Sequence, residues 1–267
     1  MMRLTITTSL SMLLVCAQPG LLHAGDAVLQ TVGKSHINWS EGNVTATGNG
    51  APDLKPNNPA QARFAPERVA RLNAFHNALE AVKRARLAGS ATIDSHLLAS
   101  PPTLKKVQGM VRNFKVLETR YYSDGGVDVK VSVPLNGPLF ETLIKGTGSK
   151  VTPGEVNQPI TGVIVHARGL GAQPALAPHI QDPEGVDVYA PAFVSPAAVR
   201  SHGMVAYARS LDAALKNPRV SNKPLVIKAT ALAATGSSNL VISAEDAARL
   251  RRLAPLLTAG KVMFIID

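Results

Sequence analysis

Cysteine is almost missing from these 267 residues: the only one is Cys16, inside the first 24 positions. A chain that sheds those positions has no disulfide, no thiol nucleophile and no cysteine-based metal site. Aromatic residues are only 4% of the whole, so any core must be built mainly from Val, Leu, Ile and Ala. Acidic residues are scarce as well, 18 Asp and Glu against 28 Lys and Arg, for a formal charge of +10. That excess suits an anionic partner (nucleic acid, acidic lipid headgroups or acidic glycan) without choosing among them. Beyond residue 24 no segment has the ~20 consecutive apolar residues needed to span a bilayer.

What remains is ordinary globular material, 45% apolar and 17% charged, long enough for one large domain or two of usual size. Its start carries an export signal. Arg3 precedes a mostly apolar run over residues 4–15, and Leu22-His23-Ala24 ends on a small residue, the three-part layout of a signal peptide cut after Ala24. Val15-Cys16-Ala17 offers a second cut with lipidation of Cys16, but Val15 fills poorly the place where a lipobox needs a small residue. Cleavage after Ala24 leaves 27 basic and 18 acidic residues, a charge of +9. The expected location is the periplasm or the outer membrane. Export and the scarcity of aromatics together argue against nucleic acid as partner.

The longest periodic segment covers residues 66–87. Val69, Leu72, Phe75, Leu79 and Val82 recur at three- and four-residue steps, one apolar stripe on a helix. Nearly opposite runs a seam of Ala70, Ala74, Ala78, Ala81 and Ala85. Before it, residues 37–47 read as a strand stopped by Gly48-Asn49-Gly50, followed by a Pro/Asn-rich loop. After it come a short helix or turn over 93–98 and a helix over 102–112. A hairpin follows, with residues 114–122 turning at Ser123-Asp124-Gly125-Gly126 into a return strand whose Val127, Val129, Val131 and Val133 share one face. A short helix with Leu139, Leu143 and Ile144 completes this half. The fold class is α+β: a small antiparallel sheet covered by a long helix, with the large-residue stripe seated on the valine face. Two uses of the alanine seam stay open, an exposed surface of good helix formers or a packing seam for another domain or copy.

Residues 146–158 read as a linker. A second, mixed α/β domain over 159–267 follows, with strands at 160–167, 186–189 and 225–232 and one or two helices in 196–217. A helix capped by Ser243 precedes an all-apolar strand over 262–266 that should be covered on both faces. The expected division is thus signal peptide 1–24, first domain 25–145, linker 146–158 and second domain 159–267.

The segments Ile37-Asn38-Trp39-Ser40-Glu41-Gly42, Ala46-Thr47-Gly48, Pro59-Ala60-Gln61-Ala62-Arg63 and Thr119-Arg120-Tyr121-Tyr122-Ser123-Asp124-Gly125 resemble bacterial envelope proteins. The relatives share the amino-terminal domain of the flagellar assembly protein FlgT and of FlgP-type outer-membrane lipoproteins, and the resemblance covers about residues 36–145. It implies an α+β domain and a structural role near the outer membrane or flagellar basal body, with no catalytic residues.

Chemistry-bearing patterns are few. Gly169-Leu170-Gly171 follows a strand, but Pro174 stands where a dinucleotide fingerprint needs a third small residue. The six histidines after residue 24 have no metal-ligand spacing, and no Gly-x-Ser-x-Gly elbow supports a hydrolase. His76 reads as a satisfied residue at the edge of the core. Acids at 182, 184 and 187 suit a turn better than a calcium loop, since the EF-hand pattern is missing. No cofactor, no metal and no catalytic residue is assigned. Arg63, Arg71, Lys83 and Arg84 are the candidate surface for an anionic partner. The expected function is a non-enzymatic assembly protein of the cell envelope whose partners are other envelope proteins or its own copies. The alternative is a periplasmic binding module for an anionic glycan or lipid.

Overall fold

The computed structural model describes residues 27–53, 61–150 and 159–267. The expected export signal, most of the stretch expected as a Pro/Asn-rich loop and residues 151–158 of the expected linker lie outside the described residues.

The first half runs β1 (Leu29–Val32), β2 (Ser35–Asn38), β3 (Asn43–Gly50), α1 (Gln61–Arg84), β4 (Arg86–Ala88), β5 (Ala91–Thr92), α2 (Ile93–Leu98), α3 (Pro101–Arg112), β6 (Lys115–Tyr121), β7 (Val127–Pro134) and α4 (Pro138–Leu143). Five of these strands form one antiparallel sheet in the order β1-β2-β3-β7-β6. The expected single strand over 37–47 is instead two: β2 and β3 pair as a hairpin, and the turn between them carries Trp39. Strand β6 contains a bulge between Val116 and Glu118. Strict alternation would put both residues on one face. The extra residue, Leu117, lets Val116 turn inward and Glu118 outward.

The largest departure from expectation is the orientation of α1. Ala70, Ala74, Ala78, Ala81 and Ala85 are all fully buried, while Leu72 is 53% and Val69 47% exposed. The alanine seam, not the leading part of the large-residue stripe, faces the sheet. Phe75, Leu79 and Val82 are buried on the flank of the helix, near α2 and α3. His76, expected at the edge of the core, is exposed.

The reason lies in β3. A Cβ at Gly48 would stand 2.1 Å from the carbonyl oxygen of Ala70 and 2.1 Å from the amide nitrogen of Ala74, and one at Gly50 1.9 Å from the carbonyl oxygen of Pro66. Helix backbone and strand backbone are in contact, which only glycine on one side and alanine on the other permit. Gly48 and Gly50 thus do not stop the strand; they lie inside it and seat the helix. Asn73 Nδ2 and Asn77 Nδ2 donate to the carbonyls of Asn49 (2.7 Å) and Thr47 (2.8 Å), fixing the register of the contact. Ala74→Leu should therefore cost 1–3 kcal/mol or more by overpacking, whereas Leu72→Gln should stay within about 0.5 kcal/mol. Urea unfolding of the two variants checks this, and the reverse order would refute the orientation of α1.

The second half runs β8 (Gly162–His166), β9 (Ile180–Gln181), β10 (Asp187–Tyr189), α5 (Pro196–His202), β11 (Ala206–Ala208), α6 (Leu211–Leu215), β12 (Pro224–Leu232), β13 (Leu240–Ile242), α7 (Ala244–Arg251), α8 (Ala254–Thr258) and β14 (Val262–Ile265). Its strands form a mixed seven-stranded sheet, β10-β9-β13-β12-β8-β14-β11, with β12, β8, β14 and β11 parallel. Strand β14 is buried along its whole length between β8 and β11, as its apolar run demands. Ser243 caps α7 by accepting from the amide of Asp246 at 3.1 Å. Strand β11 was not anticipated; it interrupts the helical stretch expected over 196–217. The architecture is α+β, with a second, mixed α/β unit. Among the described residues no helix is long and apolar enough to cross a membrane.

Candidate functional site

The two halves meet over a polar and aromatic seam. Trp39 is 3% exposed and packs edge-on against Tyr207 at 6.1 Å, which in turn packs edge-on against Phe264 at 5.8 Å. The Trp39 Nε1–H donates to Gln30 Oε1 (3.0 Å), and Ser40 Oγ donates to the Tyr207 carbonyl (2.7 Å). The Tyr207 hydroxyl donates to the Ala175 carbonyl and accepts from the Ala175 amide. Complete burial pushes its phenol well above the usual tyrosine range. The β4–β5 hairpin adds backbone bonds: the amides of Leu176 and Ala177 donate to the carbonyls of Arg86 and Leu87, and the amide of Ser238 to that of Gly89. The start of the expected linker is tied down as well, since the amides of Gly148 and Lys150 donate to the carbonyls of Pro191 and Ala192.

Beside this seam a cleft of about 470 Å³ opens between the halves, within the size range of small-ligand sites. Its walls come from the β2–β3 turn (Glu41), the loop after β7 (Asn136), the end of α5 (Ser201, His202) and the loop before β12 (Asn217, Arg219). Arg219 is its most constrained side chain. Its Nη1 donates to the Gly260 carbonyl (3.0 Å), and its Nη2 to the carbonyls of His202 and Gly203. Burial pulls its guanidinium down to about 10, against a small opposing influence of Tyr189 and Tyr207. His202 is lowered too, by burial first and by the Arg219 charge second. A planar fork reaches three carbonyls where an ammonium cannot. Arg219→Met should cost about 2–3 kcal/mol by leaving them unpaired, and Arg219→Lys should not restore the loss. Full recovery by lysine in denaturant unfolding would show that only the charge matters.

The four residues expected to form an anionic-partner surface do not converge. At about 3.6 residues per turn, Arg63, Arg71, Lys83 and Arg84 point to different sides of α1. Arg71 pairs with Glu67 at 2.9 Å, and Lys83 bridges Glu80 (3.2 Å) and Asp94 (3.4 Å). The alanine seam expected as a packing surface is taken up by the protein's own sheet. The acids near 182 also part company. Asp182 accepts from Arg251 (2.6 Å) and from the Val186 amide (2.8 Å), which with Arg251 leading hold its carboxyl below the usual range. Asp187 instead accepts from Gln181 and pairs with His179 at 3.0 Å. Among the described residues no group of three His, Asp or Glu side chains gathers as metal ligands do. Gly169-Leu170-Gly171 is a turn with positive φ at both glycines and no helix after it.

Sequence reading missed the cleft because its walls come from four distant segments, and no spacing rule joins Glu41 to Asn136 and Arg219. The class is thus a two-unit α+β protein with a ligand-sized cleft at the junction of the units. Residues 162–267 match the protein family described as Treponema pallidum Tp0624, second domain. That match begins at the first residue of β8 and takes in every strand of the second sheet. No curated protein matches the chain.

Proposed function

We propose that the protein is an exported, non-enzymatic component of the bacterial cell envelope that works by docking and assembly, at the outer membrane or around a flagellar basal body. The single observation that carries this reading is the outward-facing part of α1. Phe64 is 69% exposed, and Leu72 and Val69 on the same helix are exposed as well, although that helix already packs through its alanine face and, by Phe75, Leu79 and Val82, through its flank. Large apolar side chains held out in this way mark interaction surfaces. The export signal and the resemblance of residues 36–145 to flagellar envelope domains support the location. Deleting the gene should impair motility and alter basal-body images, and a Phe64→Ser/Leu72→Ser double variant should reproduce the defect at unchanged protein level. Normal motility and normal basal bodies in the deletion strain would sink the flagellar version.

A second reading rests on the cleft: a periplasmic binding module for an anionic glycan, with His202 and Arg219 at its wall. Purified sacculi should then pull down the chain, and bulk placed in the cleft by Asn136→Trp should abolish this. Pull-down that ignores both the variant and high salt would count against it.

A further inference from the structure

Helix α1 covers one face of the first sheet, α2 and α3 pack against α1 and each other, and the exposed side of this helical layer combines two features. Besides Phe64, Val69 and Leu72 on α1, Leu98 at the end of α2 is 78% exposed. The same helices expose cations, Arg68 on α1 and Lys105, Lys106 and Arg112 on α3, and Arg112 lies over the ring of Phe75 on α1 at 5.3 Å. Residues 61–112 hold nine Lys and Arg against three Asp and Glu, a net of +6 out of the +10 of the whole chain. All three of those acids are engaged by Arg71 or Lys83. They leave the other cations of the layer in excess.

The opposite face of the same sheet is built differently. There Glu118 lies opposite Lys130 and Arg120 opposite Asp128, and Arg120 also bridges Glu118 at 2.7 Å. The charges of those four residues cancel in place and leave Lys115 as the exposed cation that β6 adds on that side, so most of the attraction to an anionic surface comes from the helical side. The charge also decides against a second copy as occupant, because two such faces would bring like charges together. Exposed Phe, Leu and Val interleaved with Lys and Arg on a helical surface are the signature of an element that lies in a bilayer interface. The apolar groups enter the boundary of headgroups and acyl chains, and the cations neutralise anionic headgroups. Long basic stems such as those of Arg68 and Lys106 can lie along apolar surface while their heads reach phosphate.

We propose that the outer face of the α1–α3 layer docks on the surface of an anionic lipid bilayer, with Phe64, Leu72 and Leu98 inserted among headgroups and Arg68, Lys105 and Lys106 against their phosphates. The proposal rests on the docking reading above and names the occupant of that surface. The test is co-sedimentation of the chain expressed from Gly25, which removes the apolar leader as a competing lipid anchor. Two vesicle types are used, phosphatidylcholine alone and phosphatidylcholine with one-third phosphatidylglycerol.

The chain should pellet with the anionic vesicles only, and less as salt rises. Each lysine near an anionic surface contributes about fivefold to partitioning, so Lys105→Glu/Lys106→Glu should weaken binding by about 25-fold or more. Phe64→Ser/Leu72→Ser should weaken it by at least about tenfold. Both double variants change exposed residues only, and an unchanged unfolding midpoint confirms that they fold. Equal pelleting with neutral vesicles, or variants that bind like the parent, overturns the proposal. So does a parent chain that ignores both vesicle types. In that event a motility defect of the Phe64→Ser/Leu72→Ser strain keeps the docking reading with an acidic protein as partner, and its absence removes both.

Discussion

Gly48→Ala is expected to destabilise the protein by about 3 kcal/mol or more, a large effect for the addition of one methyl group. The new carbon would lie 2.1 Å from backbone atoms of Ala70 and Ala74, and backbone cannot rotate away as a side chain does. Either α1 lifts off the sheet, exposing the buried alanine and valine faces, or β3 buckles between its two hydrogen-bonded neighbours. Overpacking usually costs 1–3 kcal/mol, and this site belongs at or above the top of that range. Two controls isolate the cause. Ala74→Gly added to Gly48→Ala should bring no rescue, because the clash is with main-chain atoms. Gly109→Ala, in α3 with nothing within 4 Å of the new carbon, should instead stabilise by about 0.5–1 kcal/mol through helix propensity. Denaturant midpoints decide, and a Gly48→Ala protein as stable as the parent would show that α1 does not touch the strand.

Trp39→Ala should cost about 3–5 kcal/mol, the usual penalty for emptying a large aromatic site, and should also change the shape of the unfolding curve. Trp39 is the chain's only tryptophan and links the β2–β3 turn to Tyr207 and through it to Phe264 in the second sheet. Buried side chains of both halves belong to one continuous apolar cluster. While that cluster is intact the halves should unfold together. With Trp39 removed, circular dichroism and calorimetry should resolve two transitions where the parent has one. Trp39→Phe keeps most of the packing and loses the Nε1–H bond to Gln30, so it should cost only about 1 kcal/mol and stay a single transition. One transition in the alanine variant would place the coupling elsewhere, in the β4–β5 hairpin bonds to Leu176, Ala177 and Ser238.

Much of the local structure was legible in advance. The segment 93–98, read as a short helix or turn, is the helix α2, and the hairpin after residue 114 turns where Asp124 and Gly125 ask it to, with Gly125 at φ +88° and the Gly126 amide donating to Asp124 Oδ1. The burial of β14 on both faces and the Ser243 cap also follow from residue types at fixed offsets. Each of these depends on neighbours a few positions apart, the range at which hydrophobic period and turn chemistry act. The cleft lay outside that range. Glu41, Asn136, His202 and Arg219 become neighbours only after two sheets have formed and docked. None of them carries a local pattern that announces a site.

The helix α1 separates what the sequence determines from what the tertiary structure decides. Its residues by themselves establish that it is a helix with an alanine face and a large-residue face, although it runs over Gln61–Arg84 rather than 66–87, the last three of those positions leading into β4. They do not say which face turns inward, because hydrophobic burial alone favours the larger side chains. Shape complementarity against β3 made the choice. With no Cβ at Gly48 and Gly50 the strand offers a flat backbone surface, and alanine is the side chain that lets a helix reach it while still excluding water. Close contact along the whole seam outweighs the area lost by leaving Val69 and Leu72 outside, because dispersion and desolvation both grow as the two backbones approach. Those two glycines mean little in one dimension, where they resemble the end of a strand, and they orient the helix in three.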